Sequence, residues 1–246
     1  MSKQTNTFKF AGKASLSKNA LALIYDLEGF SRFFNQPDVQ DYVPVFLNHV
    51  SEAMAVCLFG SSSSRGDAYW NKLKGRPHKP LGLRVVHEKF LGDGALYIIL
   101  PIAGESDFAA DTLRTLCNRL WLLKSNFENV VKKSLELVPV VEVPRKIRFG
   151  VSRGSVYELK KPNTTAREYI GFCINLASRL QSYCPDLGFI ASARLMIPDA
   201  KLEKSGYRKT VATKIRGFAD EIVIVDATEY DALPVETRDN LFRDPE

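Results

Sequence analysis

The chain has 246 residues, 45% hydrophobic and 25% charged, the balance of a soluble globular protein with one substantial core. Its formal charge of +6 and pI near 9.1 are spread along the sequence rather than gathered in a stripe, so no nucleic-acid partner is expected and an anionic small substrate accounts for part of the excess. No apolar run approaches the roughly 20 residues that cross a bilayer, and Met1-Ser2-Lys3-Gln4-Thr5-Asn6 leads into no signal-peptide core, so a cytoplasmic location without a membrane partner is expected.

Residues 1–18 are polar and unpatterned apart from Phe8-Lys9-Phe10 and read as an arm or edge strand. Ala20 to Asp26 reads as a buried strand. Gly29 permits a tight turn into a short helical segment, Phe30-Ser31-Arg32-Phe33-Phe34. Asp38 is placed to cap a helix whose apolar residues Val43, Phe46, Leu47, Val50, Ala53, Met54 and Cys57 recur at helical spacing. Gly60 ends that helix. The Ser-, Gly-, Pro- and Lys-rich stretch 60–82 reads as a surface insertion anchored by Tyr69-Trp70.

Leu83 to Leu91 and Ala95 to Leu100 form a predicted hairpin around Gly92-Asp93-Gly94. A long amphipathic helix is predicted over 107–135, with Leu113, Leu116, Cys117, Leu120, Leu123, Phe127 and Val131 along its stripe. Two strands, Ile147 to Val151 and Ser155 to Leu159, flank glycines where backbones approach closely. A helix over 171–182, a short strand over 188–191 and strands near 207–215 and 221–225 complete the pattern. This order is α+β, with helices covering one sheet. It amounts to a single domain over 19–226, with 227–246 as a C-terminal tail.

The four cysteines, Cys57, Cys117, Cys173 and Cys184, show no Cys-x-x-Cys spacing, and with only three histidines a zinc site is not expected. They read as reduced and packed. Tyr69, Trp70 and Trp121 read as packing anchors, Lys132-Lys133 and Lys160-Lys161 as solvated charge, and His49 and His87 are assigned no role.

The chemistry lies elsewhere. Asp26, in Ala22-Leu23-Ile24-Tyr25-Asp26-Leu27-Glu28-Gly29-Phe30-Ser31, and Asp93, in Lys89-Phe90-Leu91-Gly92-Asp93-Gly94, each end an apolar strand beside a glycine. Two carboxylates converging at a partly desolvated edge repel each other unless a divalent cation lies between them, and their hard oxygens favour Mg²⁺ or Mn²⁺. Asn175 and Arg179 stand four residues apart on a predicted helix and share one face, an amide and a guanidinium suited to a sugar hydroxyl and a phosphate. Spacing alone leaves the alternative that both are ordinary solvent-facing residues.

Taken together, Asp-x-x-Gly-Phe-Ser, Lys-x-x-Gly-Asp, Gly-x-x-x-Gly-x-Val and Asn-x-x-x-Arg, in that order, resemble the class III nucleotide cyclase catalytic domain over about 20–225. The resemblance implies a ferredoxin-like sheet covered by helices, a head-to-tail homodimer with active sites between subunits, and a 3′,5′-cyclic nucleotide formed from a nucleoside triphosphate. It implies two metal ions per site, Mg²⁺ or Mn²⁺, held by Asp26, Asp93 and the Leu27 carbonyl. Gly29, Phe30 and Ser31 then receive the triphosphate, Asn175 orients the ribose, Arg179 stabilises the transition state, and Arg216 or Lys214 binds phosphate.

In that family a lysine at the position of Lys89 with Asp or Thr at the position of Glu168 goes with adenine, and Glu with Cys goes with guanine. This sequence keeps the lysine and lengthens the acid. Asp-Leu-Glu-Gly-Phe-Ser, Phe-Leu-Gly-Asp-Gly, the insertion before the second metal strand and a stand-alone catalytic domain also resemble the bacterial pyrimidine cyclases of anti-phage signalling. That likeness implies UTP as substrate, cyclic UMP as messenger and a separate effector protein that reads it. An adenylate cyclase acting on ATP, and a catalytically silent nucleotide- or nucleic-acid-binding regulator, are the alternatives.

Overall fold

The computed structural model describes residues 15–60, 79–140, 142–160 and 167–245. Most of the expected N-terminal arm and of the 60–82 insertion, with Tyr69 and Trp70, lies outside the described residues. In chain order the elements are β1 (Lys18–Glu28), α1 (Phe30–Phe34), α2 (Val43–Phe59), β2 (Arg84–Phe90), β3 (Gly94–Leu100), α3 (Ala110–Ser125), α4 (Phe127–Leu135), β4 (Lys146–Lys160), β5 (Arg167–Gly171), α5 (Phe172–Tyr183), β6 (Phe189–Ser192), α6 (Asp199–Glu203), β7 (Tyr207–Ala212), β8 (Glu221–Asp226), α7 (Ala227–Asp231), α8 (Val235–Leu241) and β9 (Phe242–Arg243).

The strands form one sheet in the order β2-β3-β1-β4-β6-β8-β7-β9, with β5 paired to β4 off that path. Among the described residues only β4 and β6 pair in parallel, so the sheet is mixed and mainly antiparallel, as the α+β reading requires. Period-2 alternation divides β1 cleanly. Leu21, Leu23, Tyr25 and Leu27 enter the main core with α2, α3 and α4. Ala20, Ala22 and Ile24 point the other way, into a second cluster with Leu96, Ile98, Val156, Cys173 and Ala177 beneath α5.

Helix α5 lies close against β4 because two glycines leave room for it. A Cβ on Gly150 would stand 2.0 Å from the Ala177 carbonyl oxygen and 2.5 Å from the Gln181 nitrogen, and one on Gly154 would meet Cys173 Cβ at 3.2 Å. Both glycines lie inside one continuous 15-residue strand, where the sequence suggested two. Backbone pairing to β1 from Lys146 to Val156 holds that strand together across them.

Other elements also depart from expectation. The long helix over 107–135 is two helices: Asn126, at φ −115° and ψ 17°, turns its amide back onto Leu122 and Leu123 and its side chain onto Leu122 O. The apolar stripe nevertheless stays buried from Leu113 to Val131. Asp38 does not cap α2; it sits at φ 57° before a short 3₁₀ turn, and α2 begins after Tyr42 with Pro44 in its first turn. Strand β5 was not foreseen. Residues 227–245, expected as a tail, form α7, α8 and β9, with β9 paired to β7 and Phe242 buried.

The four cysteines are free and buried, as expected. The expectation that no segment has the length of a bilayer span needs correction, because the helical stretch Val39–Phe59 reaches it with a mean hydropathy of 1.3. Its side chains Phe46, Val50, Ala53, Met54 and Cys57 are packed in the core, which accounts for that apolarity.

Gly150→Ala forces the helix off the strand and is expected to cost about 2 kcal/mol, about 5 °C in Tm for a chain of this size. An unchanged thermal midpoint would show that α5 is not seated on Gly150.

Candidate active site

Asp26 stands near the end of β1 and Asp93 at the tip of the β2–β3 hairpin, and the backbone fixes them side by side. Asp26 pairs with Gly94 across the sheet, the Leu27 amide donates to the Asp93 carbonyl at 2.8 Å, and the Leu91 amide closes the hairpin on the Gly94 carbonyl at 2.8 Å. Gly94 has no alternative, since a Cβ there would overlap the Tyr25 carbonyl. By the alternation along β1, Asp26 faces the side of the sheet that carries α5.

Burial is the main reason the Asp26 carboxyl holds its proton above the usual carboxylate range. Arg148 opposes this by hydrogen bond and charge, and Asp93 adds to it by charge and hydrogen bond. Arg148 lies directly across from Asp26 on β4 and bonds its Oδ2 at 2.5 Å, with both side chains 19% exposed. Its Nε is buried without a partner among the described residues.

Among the described residues no three His, Cys, Asp or Glu side chains gather as a metal cage. Asp26 and Asp93 still fit a divalent ion, because Mg²⁺ is commonly held by one or two carboxylates while substrate phosphates and water complete its shell. Leu27, whose carbonyl was expected to join them, follows Asp26 on β1 and is tied to Asp93 through its amide.

Beside this pair opens a cleft of about 580 Å³ lined by Phe30, Ser31, Phe34, Phe90, Gly92 and Asp93, among others. Gly29, at φ +88°, supplies the left-handed turn that sends β1 into α1. The first turn of α1 thus presents Ser31, exposed, at the cleft, while Phe30 is buried.

Lys89 and Glu168 meet although they are far apart in sequence. Lys89 Nζ lies 3.1 and 3.3 Å from the two Glu168 carboxylate oxygens, and the side chains are 48% and 30% exposed. Lys89 pairs with Leu96 and His87 with Ile98, both under α5, so the two β2 side chains share the face that holds Asp26. Asn175 and Arg179 lie exposed on α5 and, among the described residues, have no side-chain partner. The cleft at Asp93 contains neither.

Lys214, at φ 55°, is bound to Asn240 Oδ1 at 2.6 Å, whereas Arg216 is exposed with no partner among the described residues. Phe218 packs edge-on against Phe172 at 5.1 Å and so draws this loop to the start of α5. One chain therefore assembles the two aspartates with the α1 turn, and separately Lys89 with Glu168; among the described residues no hydrogen bond or ion pair joins Asn175 or Arg179 to the aspartates. Sequence reading missed Arg148. Its alternation with Ile147 and Phe149 gave its face, but only strand register gives its partner.

No protein-family model matches the sequence, and no curated protein does. Solved structures do. The adenylyl cyclase CyaB from P. aeruginosa matches over 94% of this chain and 97% of its own, at 13% identity and a TM-score of 0.59. The guanylyl cyclase Cya2 matches over 87% and 93%, at 19% identity and a TM-score of 0.55. The fold is that of the nucleotide cyclase domain. The cyclase fold is thus present at identities where sequence comparison finds nothing.

In this cyclase-fold protein the Asp26 carboxyl is expected to titrate above the ordinary aspartate range, and Arg148→Met, which removes the group that lowers it, to move the titration higher still. Side-chain carboxyl NMR of the metal-free protein reads both. A wild-type Asp26 titrating in the ordinary range contradicts the burial argument.

Proposed function

We propose that the protein is a homodimeric class III nucleotide cyclase that converts a nucleoside triphosphate to a 3′,5′-cyclic nucleotide and pyrophosphate. We take the substrate to be UTP and the product, cyclic UMP, to be a second messenger of bacterial antiviral defence read by a separate effector. The observation that carries the cyclase reading is the division of the site: Asp26 and Asp93 are joined at one sheet end, while Asn175 and Arg179 stand exposed on α5 with no side-chain partner among the described residues. A second copy arranged head to tail would complete each half. Large exposed apolar side chains, among them Phe90, Leu91, Tyr157, Ile170 and Phe172, support such a partner surface.

In this reading the ribose 3′-oxygen attacks the α-phosphorus in line and pyrophosphate leaves. Asp26, Asp93 and the Leu27 carbonyl would hold two Mg²⁺ or Mn²⁺ ions, which supply charge neutralisation and a more acidic 3′-hydroxyl. The turn Gly29-Phe30-Ser31 offers backbone amides to the triphosphate. Asn175 holds the ribose, Arg179 bonds the α-phosphate oxygens as charge develops on them, and Arg216, rather than the already bonded Lys214, reaches phosphate. Lys89 and Glu168 contact the base.

ATP is the second reading, because the Lys89 ammonium and Glu168 carboxylate also match N1 and the amino group of adenine. Incubation with each of the four triphosphates and Mn²⁺, with products identified by mass, separates the two; dominant cyclic AMP rejects UTP. Salt-sensitive nucleic-acid binding with no product from any of the four would instead favour the silent regulator.

Asp26→Ala and Arg179→Ala are each expected to abolish turnover. Mixing them should restore up to about a quarter of wild-type activity, since about half the dimers are then mixed and each carries one intact site. No recovery in confirmed mixed dimers rejects the shared site.

A further inference from the structure

His87 lies beside the Lys89–Glu168 pair and has no part in the roles assigned so far. It sits on β2 two residues before Lys89, and the strand carries an irregularity between Val85 and His87, after which His87 pairs with Ile98 and Lys89 with Leu96. Both side chains therefore share the face under α5. The His87 ring lies 5.3 Å from that of Tyr169, the residue after Glu168, so the imidazole is steadied against β5. Burial is the main influence on it and favours the neutral ring; the Glu168 charge opposes this and Lys89 adds to it. The charges facing the imidazole are thus Glu168 on β5 and Lys89 on its own strand.

We infer that His87 is a specificity-determining residue and that Lys89, Glu168 and His87 together present a donor, an acceptor and a donor to the edge of a uracil ring. The inference rests on the cyclase reading above and deepens it. Uracil offers a carbonyl, an N3–H and a second carbonyl, an acceptor–donor–acceptor edge. The Lys89 ammonium can only donate, the ionised Glu168 carboxylate can only accept, and a neutral imidazole can donate through one nitrogen. Lys89 and His87 stand about 6.6 Å apart along the strand, and the Glu168 carboxylate bonds Lys89 and acts by its charge on His87. Cytosine places an acceptor at the centre of its edge, opposite Glu168, and is rejected there. Adenine offers only two polar groups and leaves His87 unused. Guanine fits only if His87 turns its lone pair to the base.

The experiment compares wild type, His87→Phe and His87→Gln, each shown to be folded by its thermal midpoint, with UTP, CTP, ATP and GTP in Mn²⁺. Wild type is expected to favour UTP. His87→Phe should lower kcat/KM for UTP about tenfold, the loss of one hydrogen bond to the base, while the other three triphosphates are unchanged. His87→Gln, which keeps a donor, should recover most of it. Cyclic UMP formation with a UTP preference insensitive to His87→Phe overturns the inference and leaves the cyclase reading standing. A wild type that favours a purine triphosphate, or a His87→Phe loss confined to GTP, does the same. No cyclic product from any triphosphate overturns both.

Discussion

Two carboxylates at adjacent strand ends have to be held together against their own repulsion, and much of the candidate site follows from how that is done. Main-chain bonds do the positioning: the Leu27 amide on the Asp93 carbonyl and the tight hairpin at Gly94 fix both aspartates without using their side chains. Arg148 supplies the opposing charge from the next strand. A half-buried acid pair with one cation beside it still carries net negative charge, which is the condition for attracting a divalent ion. The same strands continue into the core through Leu21, Leu23 and Tyr25, so the aspartates rest on the most buried part of the sheet.

The close seating of α5 is the second condition. Without side chains at Gly150 and Gly154 the helix lies directly on β4, and its outward positions, including 175 and 179, are set by that contact rather than by contacts of their own. This explains how two polar residues with no partner among the described residues are held at defined places. It also ties the start of α5 to the loop carrying Arg216, through Phe172 and Phe218.

What was legible in the sequence was local. The apolar run from Ala20 that ends at Asp26, the glycines around Asp93 and the helical spacing of Asn175 and Arg179 each fix an element or a face within a few residues. What was not legible depended on pairing between distant segments. Arg148 meets Asp26 only through the β1–β4 register, Lys89 meets Glu168 only because β5 folds back along β4, and β5 itself is too short and polar to announce a strand. The same limit explains β4, where two glycines read as a break although the neighbouring strand holds them in line. Asn126 shows the reverse, an ordinary residue in a periodic stripe that nonetheless ends a helix by bonding its last carbonyls.

The two ion pairs on the α5 face differ in a way that bears on where the site can yield. Lys89 and Glu168 are 48% and 30% exposed, and an exposed pair of this kind contributes about 0.2–1 kcal/mol, so a base that takes its place between them gives up little. Asp26 and Arg148 are each 19% exposed and are opposed across a continuous strand pair, so separating them leaves charge in a poorly hydrated place. Under the proposed function, substrate recognition would fall to the pair that opens at low cost, and the metal-holding carboxylate to the pair that resists opening.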